Sequence, residues 1–292
     1  MLLKRALVCS FGGLVLLGGV PARAAGAALK VNGSTTVNLV AAEAAEVLRA
    51  EKGMAITVDT QGGSSGGISG VGDGSIDVGM SSKPVSDEDR RRYPKVRFVE
   101  THVGQDAVAL VVSADVWNGG LKAVSKEQVK ALYESKVTSW KALGGPDRRV
   151  VFFNKEPGRG TWEVFVHWLY GSAKAAPEVS FSEVGGNEET RNKVSSTRGA
   201  ISQLSSSWAD GSSGVHALSL RSADGTLVRP DAASISSGAY PMSRPLSFVT
   251  NGPPSGAAKA FVDFVLSPRG QEIVRRHGYL ALADLARHEE KR

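Results

Sequence analysis

Residues 29–48 read LKVNGSTTVNLVAAEAAEVL, and these positions decide the fold class. Leu29 to Val31 form a short apolar strand, and Gly33-Ser34-Thr35-Thr36 make a turn. Val37, Val40, Ala41, Ala44, Val47 and Leu48 then fall on one face of a helix at i, i+3, i+4, i+7 spacing. The pattern returns twice. Met54 to Val58 is a strand followed by QGGSSGGISG, and Ile76 to Met80 is a strand followed by SSKPVSDED, which opens another helical segment. Strand, Gly/Ser/Thr turn and helix in succession predict an α/β layer with largely parallel strands.

The middle of the chain repeats this pattern. Ala107 to Ser113 is a β-prone run, and Ser125-Lys126-Glu127-Gln128 has the form of a capping box that opens a helix. Arg149 to Phe153 predicts a strand, and KEPGRGT leads into WEVFVHWLYG, where Trp162, Phe165, Val166 and Leu169 share a face and Gly171 is placed to cap the end. Pro254 to Leu266 is an amphipathic helix with Phe261, Phe264 and Val265. Ser267-Pro268 ends it and begins the next, with serine as cap and proline in the first turn. The chain holds two α/β blocks, and its C-terminal helices are candidates to return to the first.

The N-terminus reads as an export signal. Lys4 and Arg5 precede an apolar run from Ala6 to Val20, and Ala22-Arg23-Ala24 supplies small residues at the positions a signal peptidase reads. The run is too short for a comfortable membrane span, and no stop-transfer pattern follows. Cleavage after Ala24 removes Cys9, the one cysteine, so the mature fold stands on burial without disulfides. It also removes Lys4, Arg5 and Arg23, so the net charge falls from +6 to +3. That mild excess permits an anionic ligand but lacks the concentrated basic face of a nucleic-acid binder. Arg90-Arg91-Arg92 follows Asp87-Glu88-Asp89 and reads as a solvated helix end.

Glycine stands at 34 of 292 residues, above the roughly 7% average, and many glycines sit beside hydroxyl residues where helices begin. Ligands of open α/β sheets bind beyond the carboxyl ends of the strands, where helix N-termini offer N–H groups and a positive dipole end to anions. Four such turns are present: Gly33–Thr36, Gly63–Gly67, Ser81-Ser82, and Gly158-Arg159-Gly160-Thr161. Singly each reads as ordinary capping. Together, with Arg159 in one of them and Lys155 before it, they predict an oxyanion site. Gly62-Gly63-Ser64-Ser65-Gly66 also matches the G-x-S-x-G elbow of a serine hydrolase with His277 downstream, but three hydroxyl turns would then lack a purpose. The histidines show no metal-ligand spacing, no cofactor is expected, and Asp77 reads as a local hydrogen-bond acceptor.

The order GSTT, QGGSSGGISG, IDVGMSSK, VTSWKALGG, NKEPGRGT, SGAYPMSRPLSFVTNG and GAAKAFVDFVLSPRGQEIVRRHGYLAL resembles the periplasmic phosphate-binding proteins of ABC importers across nearly the whole mature chain. The resemblance implies a two-lobed periplasmic-binding-protein fold of type II character, with the ligand cleft between the lobes. The first lobe would comprise 25–102 and 241–292 and the second 103–240. Hinge strands are expected near Phe98–His102 and Tyr240–Phe248. It implies a monomer that is no enzyme, works in the periplasm, binds inorganic phosphate and serves a membrane permease; sulfate or molybdate is the alternative ligand.

Carried over to this sequence, the resemblance assigns phosphate contacts to Thr35, the backbone of Thr36, and Ser64 in one lobe, and to Gly160 and Thr161 in the other. Two positions depart from the family pattern. Lys155 stands where many members have arginine, leaving Lys155 or Arg159 to supply the positive charge. Ser82 stands where some members have the aspartate that accepts the phosphate proton, a bond that a serine can also accept. The N-terminal reading is checked by sequencing the exported protein from a Gram-negative host: Ala25 is the expected first residue, and a product retaining Met1 or Leu2 would contradict it.

Overall fold

A computed structural model of the chain describes residues 28–289 apart from 210 and 212. The expected signal segment, Cys9 and the cleavage position lie outside the described residues. β1 (Leu29–Gly33) leads to α1 (Asn38–Lys52), β2 (Ile56–Asp59) to α2 (Gly63–Asp73), and β3 (Val78–Ser81) to the short α3 (Asp87–Arg92). β1 lies between β2 and β3, both parallel to it, with Val31 opposite Val58 on one side and Val78 on the other. α1 buries the predicted stripe through Val40, Ala41, Ala44 and Leu48, and Gly53 closes it in the left-handed conformation at φ 62°. In α3, Ser86 and Asp89 form a capping box ahead of the arginine run, none of whose residues is buried.

α2 approaches the sheet closely because its inner face is glycine. A Cβ added at Gly67 would stand 2.8 Å from both the Asn32 and Met80 carbonyl oxygens, inside any permitted contact. The glycine-rich turn therefore has a packing purpose as well as any ligand purpose. It lets the start of α2 sit directly over β1 and β3.

The chain then runs through β4 (Phe98–Ser113), α4 (Ala114–Asn118), β5 (Ala123–Ser125), α5 (Lys126–Tyr133), β6 (Val151–Lys155) and α6 (Gly160–Tyr170). β7 (Ser182–Val184), α7 (Asn187–Ser196), β8 (Ala200–Ser205), β9 (Val215–Ala217), β10 (Ser219–Arg221), β11 (Leu227–Val228) and α8 (Ala232–Ser236) follow. β12 (Ser243–Asn251), α9 (Gly256–Leu266), α10 (Pro268–Arg276) and α11 (Leu282–Glu289) end the described chain. The Ser125–Gln128 box, the Gly171 cap at φ 83° and the Ser267-Pro268 start all form as the sequence predicts.

The large sheet has the order β2-β1-β3-β12-β4-β8-β6-β7, with β9 also on β4, while β11-β10-β5 form a small separate sheet. β4 joins the two lobes. From Phe98 to Ala107 it pairs antiparallel with β12, and from Val108 it pairs with β8. Each lobe has its own core. Phe248 and Phe261 meet at 5.1 Å between their ring centroids under α1, α9 and α10 in the first lobe. Tyr133 packs against Phe152 and Phe165 in the second.

Replacing Gly67 with alanine should cost about 1–3 kcal/mol, the usual penalty of overpacking. Urea denaturation of Gly67→Ala checks this, and an unchanged midpoint would contradict the close seating of α2.

Candidate functional site

Four strand ends deliver four helix starts to one place. After β1, Ser34 receives the Thr36 N–H on its hydroxyl at 3.2 Å and the Asn38 N–H on its carbonyl at 3.0 Å, so it caps α1 from ahead of the regular helix. After β2, Gly63 adopts φ 58° and Ser64 follows it, buried. Beyond β6, Gly160 and Thr161 begin α6, and beyond β7, Gly186 caps α7 ahead of Asn187. The partial positive charges of these helix ends point inward together.

All the residues singled out in the sequence meet there. Thr35, Thr36, Ser64 and Ser82 from the first lobe and Lys155, Arg159, Gly160 and Thr161 from the second line one small pocket, joined by Ser34, Gly63 and Gly185. No carboxylate is among these lining residues. The lobes touch around it. A Cβ on Gly160 would stand 2.6 Å from the Ser82 hydroxyl and 2.7 Å from that of Ser64, so only glycine permits this approach. The Ser65 N–H donates to the Gly158 carbonyl at 3.1 Å, Asn187 Nδ2 donates to Thr36 Oγ1 at 3.1 Å, and Lys83 pairs with Glu163 at 2.5 Å across the cleft.

The first-lobe hydroxyls form a chain. Ser34 Oγ donates to Ser82 Oγ at 3.0 Å, the Ser82 N–H donates to Ser64 Oγ at 3.1 Å, and the Ser64 and Ser82 hydroxyls lie 3.3 Å apart with either able to donate. Ser82 thus has company that the sequence reading did not supply: Ser34 is part of the site. Its position within GSTT was the available signal.

Positive charge comes from three side chains. Lys155 is almost wholly buried, and Nζ donates to the Gly185 and Gly186 carbonyls at 2.9 and 2.8 Å and to Thr190 Oγ1. It thereby ties down the turn that starts α7. Burial, and then the guanidiniums of Arg159 and Arg244, hold its pKa well below the usual lysine value. Arg159 spreads along the pocket rim with Nε and Nη2 on Glu156 Oε2 at 2.9 and 2.7 Å. The sequence reading did not find Arg244. From β12 its Nε and Nη2 reach Asp106 Oδ2 at 3.1 and 2.7 Å, Nη1 reaches Thr161 Oγ1 at 3.0 Å, and Nη2 reaches Thr36 Oγ1 at 3.1 Å.

The hydrolase alternative loses its partner residue. His277 Nε2 lies 2.8 Å from Glu43, while Ser64 Oγ is engaged with Ser82. Asp77 is a hydrogen-bond acceptor as expected, but its partner is not local in sequence: it accepts the Lys30 N–H on β1 at 2.8 Å. No group of His, Cys, Asp and Glu able to hold a metal occurs among the described residues.

Residues 20–269 match the PBP superfamily domain. The phosphate-binding protein PstS of Bacillus subtilis is 30% identical over 262 residues, spanning 89% of this chain and 83% of that protein. The PstS protein of Borreliella burgdorferi is 28% identical, over 87% of this chain and 90% of its own length. Among solved structures, a Clostridium perfringens protein described as a phosphate ABC transporter substrate-binding protein, with bound phosphate, superimposes with a TM-score of 0.76 at 27% identity, covering 87% of this chain and 99% of that one. The chain belongs to the PBP superfamily and, within it, to the family of PstS phosphate-binding proteins.

Lys155 makes stability depend on pH in a definite sense. The unfolded chain keeps an ordinary lysine at 10.5, while the folded protein holds the group lower. Between those two values the unfolded state binds more protons, so stability rises with pH across that window, and below it the full cost of burying the charge is present. Urea melts at successive pH values should show this rise and its flattening in Lys155→Met. Parallel profiles for the two proteins would contradict the assignment.

Proposed function

We propose that the chain is an exported, non-enzymatic solute-binding protein that captures inorganic phosphate between its lobes and delivers it to an ABC-type membrane importer. One observation carries the reading. A pocket closed on both sides gathers four helix starts, a hydroxyl chain and the cations Lys155 and Arg159, with no carboxylate among its lining residues. Hydroxyls, N–H groups and fixed positive charge suit a small tetrahedral anion and nothing apolar. The names of the PstS relatives and the phosphate in the Clostridium perfringens structure select phosphate from that class.

In this reading Thr35 and Thr36, Ser64, Gly160 and Thr161 supply donors, Arg159 meets the anion from the rim, and Lys155 acts mainly by charge and by fixing the start of α7. Ser82 takes the phosphate proton. A dianion still carrying a proton needs one acceptor, and the Ser64–Ser82 pair can offer one because the bond between them reverses. Sulfate has no proton to give, so it leaves that acceptor unmatched. The lack of a repelling carboxylate in the pocket makes sulfate the ligand to exclude by experiment.

Because the donors come from both lobes, the anion completes its hydrogen bonds only on closure, and a ligand shifts a conformational equilibrium by its differential affinity. Calorimetric titration of the mature protein should show phosphate binding at least about tenfold tighter than sulfate, since an unmatched buried polar group costs about 1–3 kcal/mol. Small-angle scattering should show phosphate reducing the radius of gyration. Equal affinities would overturn phosphate as the selected ligand, and tight binding without compaction would overturn capture by closure.

A further inference from the structure

Arg244 stands where the lobes meet and touches the site only through other residues. It lies on β12 opposite Asp106 in the ladder with β4, one residue before β4 exchanges β12 for β8. Its side chain is 2% exposed, and the guanidinium distributes its N–H groups over Asp106 on β4, Thr36 in the first lobe and Thr161 in the second. Thr36 and Thr161 line the pocket, and Arg244 does not.

A hydroxyl has one hydrogen to donate and two lone pairs to accept with. At Thr36 both lone pairs are occupied, by Arg244 Nη2 at 3.1 Å and by Asn187 Nδ2 at 3.1 Å. The Thr36 O–H therefore can act only as a donor. At Thr161 Arg244 Nη1 occupies one lone pair, and a hydrogen bond from a cation polarises the hydroxyl towards donation. The serine side of the pocket differs, because the Ser64–Ser82 bond can run either way.

We infer that Arg244 is a positioning residue that sets the hydroxyl polarity of Thr36 and Thr161, so that both threonines meet a bound oxyanion as donors, whereas the reversible Ser64–Ser82 bond, which Arg244 does not touch, accepts the anion's proton independently of it. This rests on the phosphate-binding reading above. It gives the pocket two unlike walls. A donor-only wall is fixed by the hinge arginine, and a reversible wall is built from serine.

The test is a double-mutant cycle on the mature protein, read by calorimetric titration with inorganic phosphate. Thr36→Val in the wild-type background should weaken binding about tenfold, as expected for loss of one hydrogen bond to a charged group. With Arg244→Lys, which keeps the charge but cannot span both threonines, Thr36→Val should cost less than about threefold further, the mark of two residues acting as a unit. Ser82→Ala should cost the same factor in both backgrounds. If Arg244→Lys does not fold by circular dichroism, Arg244→Met with Asp106→Leu, which removes both buried charges together, carries the same cycle. A Thr36→Val cost that is undiminished, or a Ser82→Ala cost that shrinks equally, would make Arg244 a purely structural residue and overturn the inference. A wild type that takes up no phosphate at millimolar concentration is a separate result, which removes the phosphate reading itself.

Discussion

The ion pair between Arg244 and Asp106 is the constraint on which the two-lobed arrangement turns. The residues face each other across the β4–β12 ladder, with side-chain exposures of 2% and 0%. Moving such charges out of water costs several kcal/mol per ion, roughly, and is repaid only by good geometry and satisfied neighbours. Both conditions hold. Asp106 takes two bonds from the guanidinium on Oδ2 and one from Ser206 on Oδ1. Arg244 spends its remaining reach on Thr36 and Thr161. The chain passes between the two cores near this point on both segments, so the pair ties the strands that join the lobes to the turn ahead of α1 and to the first turn of α6 at once.

The site follows from what the strands leave exposed at their ends. Parallel strands with helical crossovers place helix N-termini on one side of the sheet, and both lobes do this. Glycine then decides how closely the ends converge. Gly67 lets α2 settle on β1 and β3, and Gly160 lets the second lobe reach the Ser64 and Ser82 hydroxyls. A methyl group at either position would hold the donors apart. The pocket's polarity is therefore a consequence of backbone geometry first and of side-chain charge second.

Much of this was legible from the chain. Helix faces, the Ser125–Gln128 box, the Ser267-Pro268 start and the convergence of hydroxyl turns depend on neighbours a few residues away, and local spacing records them. The failures are non-local. The first half of β4 was reached only through the family resemblance, which placed a strand near Phe98–His102: Glu100, Thr101, His102, Gln105 and Asp106 break any apolar run there, and its pairing partner is a strand more than 130 positions on. α7 is largely polar and shows inward only Asn187, Thr190 and Val194, so it lacks the stripe that marked α1. Arg244 and Asp106 lie 138 residues apart. Their signal was a lone acid ahead of the apolar run from Ala107 and a lone base within the hinge stretch, and neither predicts the other without the fold.

The cleft balances two opposed effects. Direct bonds draw the lobes together: Ser65 to Gly158, Asn187 to Thr36, and Lys83 to Glu163. Charge resists this contact, because the second lobe's Lys155 and Arg159 stand close to Arg244 and to the positive ends of α1 and α2, and the Arg159 and Arg244 guanidiniums are among the groups that depress the Lys155 pKa. Asp106 already offsets Arg244, and Glu156 offsets Arg159 from a half-exposed position at the rim. Lys155 is left with carbonyl and hydroxyl acceptors only. On the phosphate-binding reading proposed above, an oxyanion in the pocket supplies negative charge there, and its attraction to Arg159, Arg244 and a protonated Lys155 is strengthened by the exclusion of water. On that reading, preference for a closed form comes largely from cancelling a repulsion that the protein itself builds in.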